Sequence, residues 1–176
     1  MSTVSFSRKS KQPKFALQHR THNFCAVPII SIPLYYFLST FPHGYAIFKA
    51  SKGNMKQHDN RNPKGSSYHE SLKKRLTAAE FAAFERAESC HRNHLENMPL
   101  FVATIFAGIL AEQRAGENEI GLINFTLGWM IIRTLYTVVY LTNDTQGKAS
   151  IRSLLYFACT GWAFVILTRA AWVLGN

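Results

Sequence analysis

Long runs of apolar residues, separated by polar segments, dominate the chain and predict helices that span a membrane. Three runs, about 24–50, 120–141 and 151–174, approach the roughly 20 residues that cross a hydrocarbon core, and a shorter run covers 98–111. The pattern predicts an all-α membrane protein, a bundle of four transmembrane helices forming one domain after a basic tail, 1–23, expected to be irregular. The predicted helices cover about residues 24–48, 78–112, 120–142 and 150–174 of the domain 24–176.

The second predicted helix begins well before its apolar part. Thr77 and Glu80 have the spacing of a capping box, in which each side chain accepts from the backbone N–H of the other residue. The apolar run 98–111 forms only about 21 Å of helix, which is short of a core of about 30 Å. The turns before Met98 must therefore enter the membrane, where ionisable residues are costly and indicate function.

The net charge of +10 does not predict a nucleic-acid partner. Five of the 20 basic residues lie in residues 1–23 and eight in residues 49–75, outside the apolar runs, where anionic lipid headgroups are the expected partner. The basic loop 51–76 is expected to face the cytosol. The three cysteines are widely spaced without a CxxC pair, so neither a disulfide framework nor a metal site is predicted.

Polar side chains recur at helical spacing in three of the predicted helices, so that each set lies on or beside one face. The sets are Arg92, Asn93 and Glu96; Arg133, Tyr136 and Tyr140; and Arg152, Ser153 and Tyr156. A purely structural interpretation pairs Arg92 with Glu96 and assigns the tyrosines to an interfacial belt. That interpretation leaves Arg133, deep in its apolar run, without a partner. Converging guanidinium and phenol groups suit a small anionic ligand.

The same residues stand in motifs that resemble those of the MAPEG superfamily, the membrane-associated proteins of eicosanoid and glutathione metabolism. The resemblance covers about residues 24–174 and involves three helices in order. The motifs are ERAESCHRNHLENMP at 85–99, Arg133-x-x-Tyr136-x-x-x-Tyr140, Arg152-Ser153-x-x-Tyr156, NRNP at 60–63 and PHGYA at 42–46.

The resemblance implies a homotrimer of four-helix subunits that binds glutathione, as co-substrate, between neighbouring subunits near the cytosolic face. Arg152 would stabilise the glutathione thiolate. Ser153 is a second candidate catalytic residue, with helix capping or packing as the alternative. The implied binding residues are Arg92, Asn93, Glu96, Arg133, Tyr136, Tyr140, Tyr156 and, in the first loop, Arg61.

The implied reaction is attack of the thiolate on a lipophilic electrophile or a lipid hydroperoxide that arrives from the bilayer. Two other classes stay open: a non-catalytic member that binds and presents lipid, and a small channel or transporter. Ser89 stands where the prostaglandin E synthase branch has an arginine, which leaves the subfamily open. The endoplasmic reticulum is the expected membrane, with the mitochondrial outer membrane as the alternative because residues 1–23 resemble a transit peptide.

Overall fold

A computed structural model describes residues 14–54, 61, 65–143 and 145–176, and this part of the chain is all-helical, as predicted. Four of its helices follow the order of the four predicted ones, and a short additional helix, α2, lies between the first two. The helices are α1 (Lys14–Ala50), α2 (Ser66–Arg75), α3 (Ala78–Ala115), α4 (Leu122–Leu141) and α5 (Gln146–Gly175).

Two differences from the sequence prediction lie in the first half of the chain. α1 begins at Lys14, inside the segment expected to be irregular, because residues 14–27 contain neither glycine nor proline to interrupt the helix. The rest of that segment, 1–13, lies outside the described residues. The prediction of a plain loop over 51–76 was wrong for α2, because Leu72 provides it with a buried apolar anchor.

Side-chain N-caps and a glycine with positive φ determine where two of the long helices begin and where one of them ends. The predicted capping box is confirmed: the Glu80 N–H donates to Thr77 Oγ1 at 3.3 Å, and the Thr77 N–H donates to Glu80 Oε2 at 2.8 Å. α3 ends at Ala115, and the next residue, Gly116, has a φ of +125°, which favours glycine. α5 begins earlier than the predicted residue 150, because Thr145 Oγ1 accepts from the Lys148 N–H at 3.4 Å.

Two glycines allow α4 to approach its neighbours closely. α1 packs mainly on α3, and α5 packs on both α3 and α4. A Cβ atom at Gly108 of α3 would lie 2.6 Å from Leu122 Cδ1, and one at Gly128 of α4 would overlap the ring of Trp162 on α5. Small residues at such crossings are how membrane helices gain van der Waals contact, so the two glycines fix the spacing of the bundle.

The outer surface of the bundle matches a lipid environment. Within the described residues, α3, α4 and α5 are long and apolar enough to cross a bilayer. α1 is not in that set, so the fourth crossing stays a prediction. The outward face of α1 is nevertheless apolar, with Ile30, Leu34, Phe37 and Phe41 between 52% and 71% exposed. Exposed apolar faces of this extent indicate contact with lipid.

Candidate functional site

α3, α4 and α5 together form a cleft of about 190 Å³ at the level where α4 ends and α5 begins. We refer to it as the α3–α4–α5 cleft. Its walls contain an amide, three phenols, a hydroxyl and a guanidinium group, which is an unusually polar lining for a site within a membrane bundle. The lining residues are Asn93, Tyr136, Tyr140, Arg152, Ser153, Tyr156 and Phe157.

Arg133 is completely buried beside this cleft. Its Nη1 donates to Asn93 Oδ1 at 3.1 Å, but its Nε and Nη2 have no hydrogen-bond partner in the described part of the chain. Aromatic rings surround the guanidinium carbon, at 4.8 Å from the centre of Trp129, 5.4 Å from Tyr136 and 5.6 Å from Tyr156. Ring faces attract a cation, yet they do not satisfy its remaining N–H donors, so Arg133 retains hydrogen-bonding capacity for an anion.

Hydrogen bonds through His94 hold the α4 turn that carries Arg133. The Thr137 hydroxyl donates to the Arg133 carbonyl at 2.9 Å, so its oxygen is free to accept from His94 Nε2 at 2.8 Å. On the other side of the ring, His94 Nδ1 lies 3.3 Å from the Tyr35 hydroxyl of α1. His94 is completely buried and therefore joins α1, α3 and α4 directly beneath the cleft.

Arg152 is the second cation of the cleft. Its guanidinium carbon lies 4.6 Å from the centre of the Tyr140 ring, and the Tyr140 ring in turn packs edge-to-face on Tyr136 at 5.4 Å. Arg152 is half-buried, whereas Ser153 is exposed and its hydroxyl donates to the Ala149 carbonyl at 3.1 Å. The aromatic face orients the Arg152 guanidinium while leaving its N–H groups available to a ligand.

The remaining sequence-predicted residues lie outside this cleft. Arg92 and Glu96 are exposed on α3 and form no ion pair in the described part of the chain, although they are four residues apart. Arg92 instead lines a second cleft of about 400 Å³ together with Ser89, His91 and His69 of α2. Arg61 is exposed in the first loop.

Three residues that support the site were not among the candidates. His94 lies within the second-helix motif, and Trp129 and Thr137 stand four residues before and after Arg133. Neighbours at i−4 and i+4 share a helix face, so extending the Arg133 stripe in both directions could have identified Trp129 and Thr137. Of the residues described, no three His, Cys, Asp or Glu side chains form a group that could hold a metal ion.

These features define an all-helical membrane protein with a cationic, phenol-lined cleft between its helices. The chain belongs to the MAPEG family, whose sequence profile, described as "MAPEG family", matches residues 29–172. This match covers most of the chain and confirms the family resemblance drawn from the motifs. Neither the search of curated proteins nor the search of solved structures gave a match. Membership associates the protein in general terms with glutathione or eicosanoid metabolism at a membrane.

Proposed function

We propose that this protein is a glutathione-dependent membrane enzyme, a transferase or peroxidase that acts on lipophilic electrophiles or lipid hydroperoxides. The observation that carries the proposal is the fully buried guanidinium of Arg133 at the edge of the α3–α4–α5 cleft, whose Nε and Nη2 have no hydrogen-bond partner among the described residues. Leaving donors unsatisfied in a buried site is costly, and the cost is recovered when an anionic ligand accepts from them.

Glutathione has the chemical groups that this cleft would recognise. Its two carboxylates suit guanidinium groups, which bind carboxylates through two parallel hydrogen bonds, and its peptide groups suit amide and phenol partners. In this proposal Arg133 and Asn93 bind one polar end of the tripeptide. Tyr136, Tyr140 and Tyr156 donate hydrogen bonds along its length.

Arg152 would hold the sulfur of glutathione as a thiolate, because a nearby cation favours the charged form of a thiol. In the transferase reaction the thiolate sulfur forms a bond to the electrophilic carbon, and the displaced group or an added proton balances the charge. In the peroxidase reaction two glutathione molecules reduce a lipid hydroperoxide to the alcohol and water, and they leave as the disulfide. Ser153 would act as a second donor in this scheme once its hydroxyl proton turns from the Ala149 carbonyl to the sulfur.

A second copy of the chain would complete the site. The cleft of one subunit, about 190 Å³, is smaller than the roughly 300–1,000 Å³ of pockets that enclose small ligands. Arg92 and Glu96 are exposed and form no ion pair with any described residue. They lie on a helix that is long and apolar enough to span the membrane, where charged side chains require cover. A homotrimer would cover both residues, and Arg61 of a neighbouring subunit is a candidate contact to glutathione.

The lipophilic substrate would approach through the bilayer along the exposed apolar faces of α4 and α5. Leu135, Val138, Leu154 and Phe157 lie at the height of the cleft and are between 50% and 69% exposed. A substrate dissolved in lipid therefore meets the reacting sulfur without crossing water. We propose the endoplasmic reticulum as the residence, with the mitochondrial outer membrane as the second candidate.

The test is the ultraviolet absorbance of the bound thiolate. Purified protein in detergent is expected to develop this band on addition of glutathione and to conjugate an electrophilic aromatic halide. Arg152→Ala should lose most of the band, whereas Arg114→Ala, which removes an exposed cation at the far end of α3, should retain it. Absence of glutathione binding at millimolar concentration would refute the enzyme proposal and favour lipid presentation, and ion flux in proteoliposomes would favour a channel.

A further inference from the structure

The short helix α2 is fixed firmly to the membrane helices by its apolar side. Leu72 is completely buried and Leu76 is 7% exposed, and both belong to a cluster that includes Ala46 and Ala50 of α1 and Phe84 of α3. A hydrogen bond from Arg75 Nη2 to the Ala50 carbonyl, 2.6 Å long, joins the end of α2 to the end of α1. α2 is therefore held in one orientation relative to the bundle.

Its contacts place α2 at the surface of the bilayer. Below the level of α2, the outward face of α1 carries large apolar side chains up to Phe41 and Phe48, which are 60% and 57% exposed. The pair of His43 Nδ1 and Glu88 Oε1, 2.7 Å apart, lies lower on α1, between Phe41 and Phe48. Lys49 and Lys52, which follow Phe48, mark the change from lipid-facing apolar residues to charged residues and therefore the headgroup region. α2 packs at this level, against Ala46 and Ala50.

Two lysines on α2 are exposed and have no partner among the residues that the structure describes. Lys73 and Lys74 are exposed and form no ion pair in the part of the chain that is described. The other lysines nearby are engaged: Lys52 Nζ lies 3.8 Å from Glu80 Oε2, and Lys49 Nζ lies over the Tyr45 ring at 5.4 Å. Within the described part of 49–76, the lysines without an ion pair or ring contact are thus Lys73 and Lys74, at the end of α2.

We propose that α2 is an anionic-lipid docking element, which binds the headgroups of acidic phospholipids through Lys73 and Lys74. Because α2 is already packed on the bundle, its cations lie at the height of the headgroups before lipid binds. Lipid binding therefore gains electrostatic attraction without the entropic cost of ordering the helix. Basic clusters on helices next to membrane spans bind acidic lipids in this way. Residues 49–75 carry eight basic and two acidic side chains, so the surrounding chain adds to the attraction rather than opposing it.

The experiment compares lipid selectivity of the full-length protein reconstituted into phosphatidylcholine vesicles. Spin-labelled phosphatidylserine or phosphatidylcholine is added in trace amount, and electron paramagnetic resonance measures the fraction of each label held at the protein surface. The wild-type protein should prefer phosphatidylserine. At low ionic strength, each lysine removed should lower the ratio of bound phosphatidylserine to bound phosphatidylcholine by about fivefold. The double variant Lys73→Gln/Lys74→Gln should therefore show both reductions. Added salt should weaken the wild-type preference, because it screens exposed charges.

Two control variants keep the result interpretable. Lys73→Arg/Lys74→Arg retains the charges and should retain the preference, which separates charge from helix integrity. Arg114→Gln/Arg169→Gln removes two cations at the opposite end of the bundle, where each already bonds a backbone carbonyl, and should change little. An unchanged preference in the lysine-to-glutamine variant, or an equal loss in the far-end variant, would overturn the proposal. Neither outcome depends on glutathione binding.

Discussion

Asn93 Oδ1 accepts a hydrogen bond from Arg133 Nη1 at 3.1 Å, and this contact joins α3 to α4 at the edge of the cleft. It is the only hydrogen bond to the Arg133 side chain within the described residues, although that side chain is completely buried. This one hydrogen bond stabilises the contact between α3 and α4, and it leaves the other guanidinium nitrogens available to a ligand.

Replacing Asn93 should destabilise the bundle, since Asn93→Leu leaves Arg133 buried without a hydrogen bond from the protein. The free energy of unfolding should fall by about 1.5–3 kcal/mol, the usual contribution of a hydrogen bond to a charged group. Unfolding in mixed micelles, followed by circular dichroism, measures the change. Thr104→Val on the same helix is the control, because Thr104 is buried but bonds only its own helix at Leu100. Equal losses for the two variants would contradict the assignment.

Thr137 and Thr126 offer a matched pair on α4. Each is buried and donates to the carbonyl four residues earlier, at 2.9 Å and 2.8 Å, but only Thr137 also accepts from His94. Thr137→Val should therefore lose about 1–3 kcal/mol more stability than Thr126→Val, because His94 Nε2 is left buried without a partner. Thermal unfolding of both variants measures this difference. A difference near zero would show that the hydrogen bond between His94 and Thr137 does not contribute to the free energy of unfolding.

The polar stripes on α4 and α5 illustrate what the sequence could predict. Arg133, Tyr136 and Tyr140 share a face by spacing alone, and the cleft contains or adjoins all three. The helical periodicity does not determine which side of α3 meets them. Asn93 faces the cleft while Arg92, one residue earlier and about 100° away, faces outward. The packing of α3 against α1, α4 and α5 determines that rotation, and these contacts join residues distant in sequence.

The hydrophobic pattern of the sequence also does not predict the short helix α2. Its sequence, SSYHESLKKR, is polar apart from Tyr68 and Leu72, so no hydrophobic run indicates a helix. The helix is stabilised by contacts with residues of α1 and α3 that are distant in sequence. Helices this short depend on tertiary packing rather than on their own propensity, and for this reason the sequence pattern predicts only a loop here.

Gly128 should not tolerate a side chain. A Cβ atom there would overlap the Trp162 ring, so Gly128→Ala should force α4 and α5 apart and destabilise the bundle by about 1–3 kcal/mol. Gly161 on α5 is exposed and a Cβ atom there meets nothing within 4 Å. Gly161→Ala should be neutral or stabilising by up to about 1 kcal/mol. Detergent unfolding curves compare the two, and a stable Gly128→Ala protein would contradict the close helix crossing.

Glu112 caps α4 from inside the bundle. It is 3% exposed, and its Oε1 accepts from the Leu122 N–H at 3.1 Å. Glu112→Ala should cost about 1–3 kcal/mol, because the Leu122 N–H would be buried without an acceptor. The exposed neighbour Gln113 provides the control, and Gln113→Ala should change stability by less than about 0.5 kcal/mol. Faster amide hydrogen exchange at residues 116–122 in Glu112→Ala alone would locate the effect, and equal exchange in both variants would contradict it.

Calorimetric titration of glutathione into the purified protein tests most directly whether the buried guanidinium of Arg133 binds glutathione. Arg133→Met retains the length of the side chain and removes its donors, and Arg169→Met does the same at the far end of the bundle. We expect Arg133→Met to weaken glutathione binding by about tenfold or more, in line with the loss of charge-assisted hydrogen bonds, and Arg169→Met to bind like the wild type. Equal affinity for Arg133→Met and the wild-type protein would contradict the claim.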